Sequence, residues 1–473
     1  MNSNLGTILG ELTSSVTGKT GIIFLLVMFA ISAYALITNP LDFGTKFWNN
    51  PAIWADNPKN VPPVWTNIFS ANEKMKHSVF EFHTGTKQQN NYYFQMDYSA
   101  EEPPTFSSLS IQDISYNSRP PTISLSVTRP DGIEINLYHH AVPAPRTGET
   151  SPIQRYTESP LRVYLTGDTK IANNIADLLS ENTGTPVIAK EIIGKIDRVI
   201  FGEFPLQLKD EFKPLKGEYL FALNADMSDP NDYIGNVKLV LGGSSYGIMG
   251  TDSLGRDLAR GLLFGFPVAL TIGLITSIFA TVIGTTAGII SGYQGGKTDI
   301  FIQRFSDVLT NIPLLPILLF LAFVLGQKLW VVIVVLIIFG WPGLSIVVRS
   351  IVLQIRSGQL VEASVALGAS KWRIMAHHIF PQISPFIFAQ MIFFTPAAIL
   401  AEAGLSFLGL GDTSIPTWGQ ILDQGFRTGA IYIGYWWWVL PPGILIVFTA
   451  LTFVLIALGM EKVVDPRLRN TPT

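Results

Sequence analysis

The sequence predicts an α-helical membrane protein of six transmembrane helices, with a large β-rich extracytoplasmic domain inserted after the first. Three observations lead there. Of the 473 residues, 48% are hydrophobic and only 14% charged, against about 25% charged in soluble proteins. The charge is uneven: residues 40–245 hold 24 of the 35 acids and 18 of the 32 bases, so the deficit belongs to the flanks. Those flanks break into uncharged runs near the ~20 residues that a helix needs to cross a bilayer at about 1.5 Å each.

The first run is Gly21 to Thr38. The second lies within Gly261 to Gly296 and holds a helix from about Phe266 to Ser291. Val308 to Gln327 and Leu329 to Val348 follow, separated by Lys328; Ile383 to Leu400 and Trp438 to Met460 complete the six. Short cytoplasmic loops retain Lys and Arg. With the N-terminus inside, the inner segments hold Lys19, Lys297, Arg304, Arg349, Arg356, Lys371, Arg373, Lys462, Arg467 and Arg469, and the outer ones Arg256, Arg260, Lys328 and Arg427. This places both termini in the cytoplasm and residues 41–245 outside. The first run reads as an uncleaved anchor, with cleavage after Ala33-Tyr34-Ala35 as the alternative.

The segment 40–65, with five prolines and Trp48, Trp54 and Trp65, reads as irregular chain beside the membrane interface. Strands are predicted at 92–96, 122–127, 134–138, 162–165 and 218–223, with a hairpin turn at Arg129-Pro130-Asp131-Gly132. Ile171, Ile175, Leu178 and Leu179 have helical spacing. His139 and His140 are adjacent on a strand and so face opposite ways, a poor joint metal site. This portion reads as a binding or docking module, with no HExxH, GxSxG or carboxylate pair implying catalysis.

Composition excludes other classes. A net charge of -3 provides no basic field for nucleic acid. Without Cys there is no disulfide framework, thiolate zinc site, Cys-ligated iron-sulfur cluster or cysteine nucleophile.

The segment Leu360-Val361-Glu362-Ala363-Ser364-Val365-Ala366-Leu367-Gly368-Ala369-Ser370-Lys371-Trp372-Arg373, continuing through His378 to Pro381, is the most informative. It fits a helix-turn-helix on the membrane surface: small residues admit a close partner, Leu360, Leu367 and Trp372 provide apolar anchors, and Pro381 sets how the chain enters the next span. It resembles the EAA loop of ABC-importer permeases, in Glu362-Ala363, Gly368, His378 and Pro381, with Ser364 where a second Ala is usual. Gly250-Thr251-Asp252, Gly255, Arg256 and Asp257 are similar to the external motif of the C-type permease subunit of dipeptide and oligopeptide importers. Gly292 to Asp299 with Arg304 and Asp307, Leu405 to Gly411 with Pro416 to Gly419, and Asp465 to Arg469 are similar to further segments of that family. The resemblance covers the first span and 246–473; the insert lies outside it.

The resemblance implies the type I ABC importer permease fold: residues 1–40 a cytoplasmic N-terminus and first helix, 41–245 the insert, and 246–473 a five-helix core with a coupling loop at 356–381. In that loop Leu360, Glu362, Ala363, Leu367, Gly368, Ala369, Trp372, His378 and Pro381 are the expected contacts. The implied partners are a homologous permease subunit, two ABC ATPase subunits carrying ATP and magnesium, an extracellular substrate-binding protein and the lipid bilayer. No cofactor is expected in this chain, nor an enzymatic site. Peptides are the implied cargo, with nickel and oligosaccharides as alternatives in the family. A membrane-anchored surface binding protein or sensor is the rival reading, though a single span would serve it.

Several residues remain. Gly295-Gly296-Lys297-Thr298 imitates the end of a phosphate-binding loop, but Ser291 stands where its first glycine belongs. Arg304 and Asp307 are three apart and are expected to pair at the cytoplasmic edge. Glu402 either lines the pathway or ties down the loop 403–419. Asp252, Arg256 and Asp257 are expected to organise the external turn. Pro313, Pro316 and Pro396 free backbone groups within spans.

Overall fold

The computed structural model describes residues 13, 15–70, 73–83, 91–184, 186–203 and 212–464. The expected tail motif Asp465 to Arg469 lies outside them. The chain divides into two compact units, Pro51–Ala259 and the chain on either side of it. The expected borders at 40/41 and 245/246 therefore move. Residues 42–50 pack with the helical unit, Asn49 donating to the Thr413 carbonyl at 3.0 Å and Phe43 lying 5.0 Å from Phe264 between ring centroids. Residues 250–257 instead bond to residues 57–61 within the β-rich unit. Helix α1 (Val16–Thr38) precedes that unit in the chain, its first turn capped by the Ser15 hydroxyl, which accepts from the Gly18 N–H.

Within Pro51–Ala259 two antiparallel sheets share one core. The first orders β1 (Ser78–His83), β9 (Tyr233–Leu241), β3 (Ser107–Tyr116) and β6 (Ile153–Arg155), with β7 (Leu161–Tyr164) also paired to β3. The second orders β2 (Asn91–Tyr98), β8 (Gly217–Asp226), β4 (Thr122–Thr128) and β5 (Glu134–Ala141). All five expected strands are present, and Tyr92, Phe94, Leu125, Leu137, Phe221 and Leu223 alternate into the core as a period of two requires. The turn 129–132 closes β4 to β5, with Gly132 at φ +81. Its Arg129 does more than turn the chain: the buried guanidinium donates to the carbonyls of Ile200 and Gly202 at 3.0 and 2.8 Å, capping the short helix Ile196–Phe201, and pairs with Asp131. Helix α2 (Thr169–Thr183) carries the predicted apolar face, starts on an Asp168 cap and ends at Gly184 in the left-handed region.

The helical unit continues with α3 (Leu258–Gln294), α4 (Gly296–Asn311), α5 (Leu314–Leu325), α6 (Leu329–Arg356), α7 (Gln359–Ala366), α8 (Lys371–Phe407), α9 (Trp418–Arg427) and α10 (Trp436–Val464). Among the described residues five helices are long and apolar enough to cross a membrane: α1, α3, α6, α8 and the Trp436–Met460 part of α10. This is a multi-pass membrane protein. The expected straight span Val308 to Gln327 is replaced by α4 and α5, which meet at 80° and raise the count to six only if taken as one broken span. Proline accounts for the break. Ile312, pushed out of the helical region by Pro313, sits at ψ 125, and Pro313 itself is extended at ψ 121. At about 1.5 Å per residue α5 alone spans only about 18 Å.

Small residues bring the helices together. Cβ atoms placed on Gly284, Gly288 and Gly292 of α3 would lie 2.7, 2.8 and 2.9 Å from the carbonyl oxygens of Trp341, Ser345 and Arg349 on α6. Both sets repeat every four residues, so two ridges run backbone to backbone. Helix α1 packs on α10 in the same manner at Gly21 and Ile456, with Phe24 and Phe448 4.9 Å apart.

Candidate functional site

Beyond the end of α6 the chain folds into a tight helical hairpin. Gly358 is extended and α7 begins after it. It ends in a Schellman turn: the Ala369 N–H donates to the Ser364 carbonyl at 3.0 Å and the Gly368 N–H to that of Val365 at 2.9 Å. Gly368 sits at φ +77, and among the described residues nothing beyond its two chain neighbours lies within 4 Å of where its Cβ would be. The turn itself therefore demands the glycine. Ser370 then caps α8 by accepting from the Arg373 N–H at 3.4 Å.

Pro381, expected to set how the chain enters the next span, stands near the start of that apolar run but inside a helix that has already begun. α8 begins at Lys371 and runs unbroken through Pro381 to Phe407. Proline lacks the N–H for the carbonyl four residues back and clashes with it; the wider π turn over Met375–Ile379, just before, absorbs both defects. His378 is half-buried there, and its carbonyl accepts from Gln382 at 2.7 Å.

The hairpin has two faces. Val361, Ile374 and Met375 are buried in a cluster with Tyr293 of α3, Val348 and Val352 of α6, and Ile379 and Ile383 of α8. The opposite side exposes Leu360, Glu362, Ala363 and, most fully, Leu367 at 88% and Trp372 at 66%; Ala369 is half-buried. Beside α7 lies a cavity of about 410 Å³ lined in part by Tyr293, Arg356, Glu362 and Lys371, the Arg356 guanidinium 5.9 Å from the centre of the Tyr293 ring.

An ion pair braces this end, but not the expected one. Arg304 and Asp307 are both exposed, and no bond joins them among the described residues. Arg349 of α6 instead grips Asp299 of α4 with two bonds of 2.5 and 2.6 Å. Ser291 of α3 donates to the same carboxylate at 2.5 Å, and Gln303 donates to Ser291 at 2.9 Å. Fifty residues separate Asp299 from Arg349, so no local spacing in the sequence points to the pair. It also fills the turn that imitates a phosphate loop with a carboxylate.

In the β-rich unit, Asp252 accepts from the Leu254 and Arg256 N–H groups, both at 2.9 Å, and pairs with the buried Arg256 side chain at 2.5 Å. Thr251 donates to the Pro58 carbonyl at 2.7 Å, and Asp257 accepts from the Ala259 N–H at 2.9 Å. Gly250 and Gly255 are at φ +71 and +80, and a Cβ on Gly255 would meet the Trp54 carbonyl oxygen at 3.0 Å. These bonds tie the motif to its own turn and to Pro58.

A profile of the "Binding-protein-dependent transport system inner membrane component" family matches residues 284–470. The chain is 36% identical to the dipeptide transport system permease protein DppC of Bacillus subtilis over 222 residues, 47% of this chain and 69% of that one. It is 32% identical to DppC of Lactococcus lactis over 270 residues, 57% and 76% of the two chains. It is 34% identical to the oligopeptide permease OppC of Bacillus subtilis over 222 residues, 47% and 72%. The chain belongs to this family of binding-protein-dependent transport permeases. The permease's glycine ridge, the Arg349 and Asp299 pair and the hairpin all fall within the matched range, whereas the two sheets precede it.

The permease's Glu402 is buried near the end of α8, where it accepts from Ser406 at 2.6 Å; Thr417, the cap of α9, lies 3.5 Å from Ser406. Of the two readings of this residue, the contacts favour fastening the loop 403–419.

Proposed function

We propose that the chain is a permease subunit of an ATP-driven ABC importer that moves peptides into the cytoplasm. It pairs with a homologous permease chain, receives cargo from an extracellular binding protein and is driven by two ATPase subunits that carry ATP and magnesium. Both termini are cytoplasmic and the β-rich unit lies outside, as the distribution of Lys and Arg indicates. The peptide cargo rests on relatives that are dipeptide and oligopeptide permeases.

The observation that carries this reading is the hairpin 356–381. Leu367 and Trp372 stand in the open on a backbone braced from behind by Val361 and Ile374. Exposed apolar groups on a rigid support are what a partner groove takes up, and large side chains at the centre of such contacts carry most of the binding energy. Glu362, Ala363, Gly368 and Ala369 form the rest of the docking face. A push from closing ATPases would reach α6 and α8, which the hairpin joins.

Leu367→Asp and Trp372→Asp, in the assembled transporter, test it. The expected result is loss of ATPase co-purification together with peptide uptake. Undiminished co-purification and uptake in both variants would overturn the assignment.

A further inference from the structure

A cavity of about 930 Å³ in the β-rich unit has no part in the reading above. Its volume is at the upper end of the ~300–1,000 Å³ of small-molecule sites. Its walls are strand β5 (Tyr138, His139, His140), strand β7 (Arg162, Tyr164) and the first turns of α2 (Lys170, Asn173, Asn174). β5 and β7 are the outermost strands of their respective sheets, each paired on one side among the described residues. The cavity thus lies where both sheets present strand edges with backbone hydrogen-bonding groups to spare.

Charge narrows what fits. Arg162 is matched by Asp56 at 3.0 Å, and Asp56 also lies 3.4 Å from Lys238. The one acid of the lining, Asp168, is engaged as the helix cap, accepting from the Lys170 and Ile171 N–H groups at 2.8 and 3.2 Å. The Lys170 ammonium has no ion-pair partner among the described residues, which leaves the cavity with an unmatched positive charge. His140 is bonded to the Tyr156 hydroxyl at 3.0 Å and stacked on Tyr138 with ring planes 12° apart. Burial, and then the Lys170 charge, hold its imidazole below the usual pKa, so at neutral pH it serves as an uncharged hydrogen-bonding group.

We propose that this cavity binds the carboxyl end of a short extended peptide, its carboxylate at Lys170 and its backbone along the edges of β5 and β7. Edge strands recognise extended chains through main-chain hydrogen bonds. The exposed amides of Asn173 and Asn174 and the rings of Tyr138 and Tyr164 face the remaining bonds and side chains. A neutral sugar would use the rings but neither the unmatched cation nor the strand edges. The proposal rests on the reading that peptides are the cargo, and makes the insert a site where cargo is held by the permease itself.

The test uses the full chain in lipid nanodiscs without binding protein, and labelled trialanine, its C-terminal amide and maltotriose as probes. Trialanine is expected to bind saturably, its amide at least tenfold more weakly. Lys170→Glu, at an exposed position near a helix N-terminus that tolerates an acid, is expected to lower trialanine affinity at least tenfold, and Asn174→Trp to block the cavity. The proposal is overturned if the wild-type chain does not bind trialanine, if acid and amide bind alike, if maltotriose binds more tightly, or if both variants bind as wild type. Peptide uptake by the assembled transporter is measured in parallel. No uptake by the wild type overturns the cargo reading; normal uptake without binding to the lone chain overturns the cavity alone.

Discussion

Gly288 of α3 faces the backbone of Ser345 on α6 so closely that a Cβ there would stand 2.8 Å from the Ser345 carbonyl oxygen. Gly284 and Gly292 repeat the relationship one turn either side. Lipid provides no hydrophobic drive for helices to associate, so such close packing is a main source of their adhesion.

Gly288→Leu is therefore expected to destabilise the helical unit by about 1–3 kcal/mol, the usual cost of overfilling a packed interface. Gly343→Ala, where an added Cβ would have nothing within 4 Å, is the control. Thermal unfolding in detergent measures both; equal melting of the two variants would refute the ridge.

Arg349 and Asp299 join α6 to α4 at the end that leads into the hairpin. Arg349→Gln leaves the carboxylate without its cation and is expected to cost about 1–3 kcal/mol; Asp299→Asn added in the same chain should cost little more. A double-mutant cycle on unfolding gives the coupling. Hydrogen exchange across 359–370 should quicken in Arg349→Gln if the pair steadies the hairpin.

The positive φ of Gly368 separates two causes of failure at the hairpin. Gly368→Asn, which tolerates the left-handed region, should preserve most ATPase co-purification. Gly368→Val pays roughly 1–2 kcal/mol for that conformation and should lose it. If both are equally impaired, crowding of the partner and not the turn is responsible.

Asp197 is buried, with hydroxyl donors from Ser107 and from Thr166 at 2.6 Å. Burial pushes its carboxyl up to about 6 from an ordinary 3.8. An acid whose pKa is raised on folding favours the folded state most when protonated. Its contribution is thus largest below about pH 4 and is lost as pH rises toward 6, by roughly 3 kcal/mol. Asp197→Asn keeps the polar contacts without the charge. Hydrogen exchange of 107–116 and 196–201, compared between wild type and variant at each pH, should diverge above pH 5, with the variant better protected; parallel behaviour from pH 4 to 7 would refute it.

Strands β2, β5 and β8 were legible because buried and open residues alternate along them, and β4 and β7 because their β-branched and aromatic residues favour strand. β3 and β9 were not. They lie inside the first sheet, and β3 is covered over most of its length, so apolar residues and serines follow one another without a clean period. Arg129 shows the same limit: the sequence marks it as a turn residue, but only folding brings it to a helix seventy residues away.

By itself the sequence determined five of the six expected apolar spans, the polar insert between the first two, and the hairpin motif at 356–381, because hydropathy, strand alternation and a helix-turn-helix pattern are written in consecutive residues. Tertiary structure alone decided that Asp299 meets Arg349 where Arg304 and Asp307 stay apart, and that two outer strands and a helix line a cavity beside Lys170. Those relations join residues tens of positions apart, and no local period in a chain records which distant carbonyl, cation or strand edge it will meet.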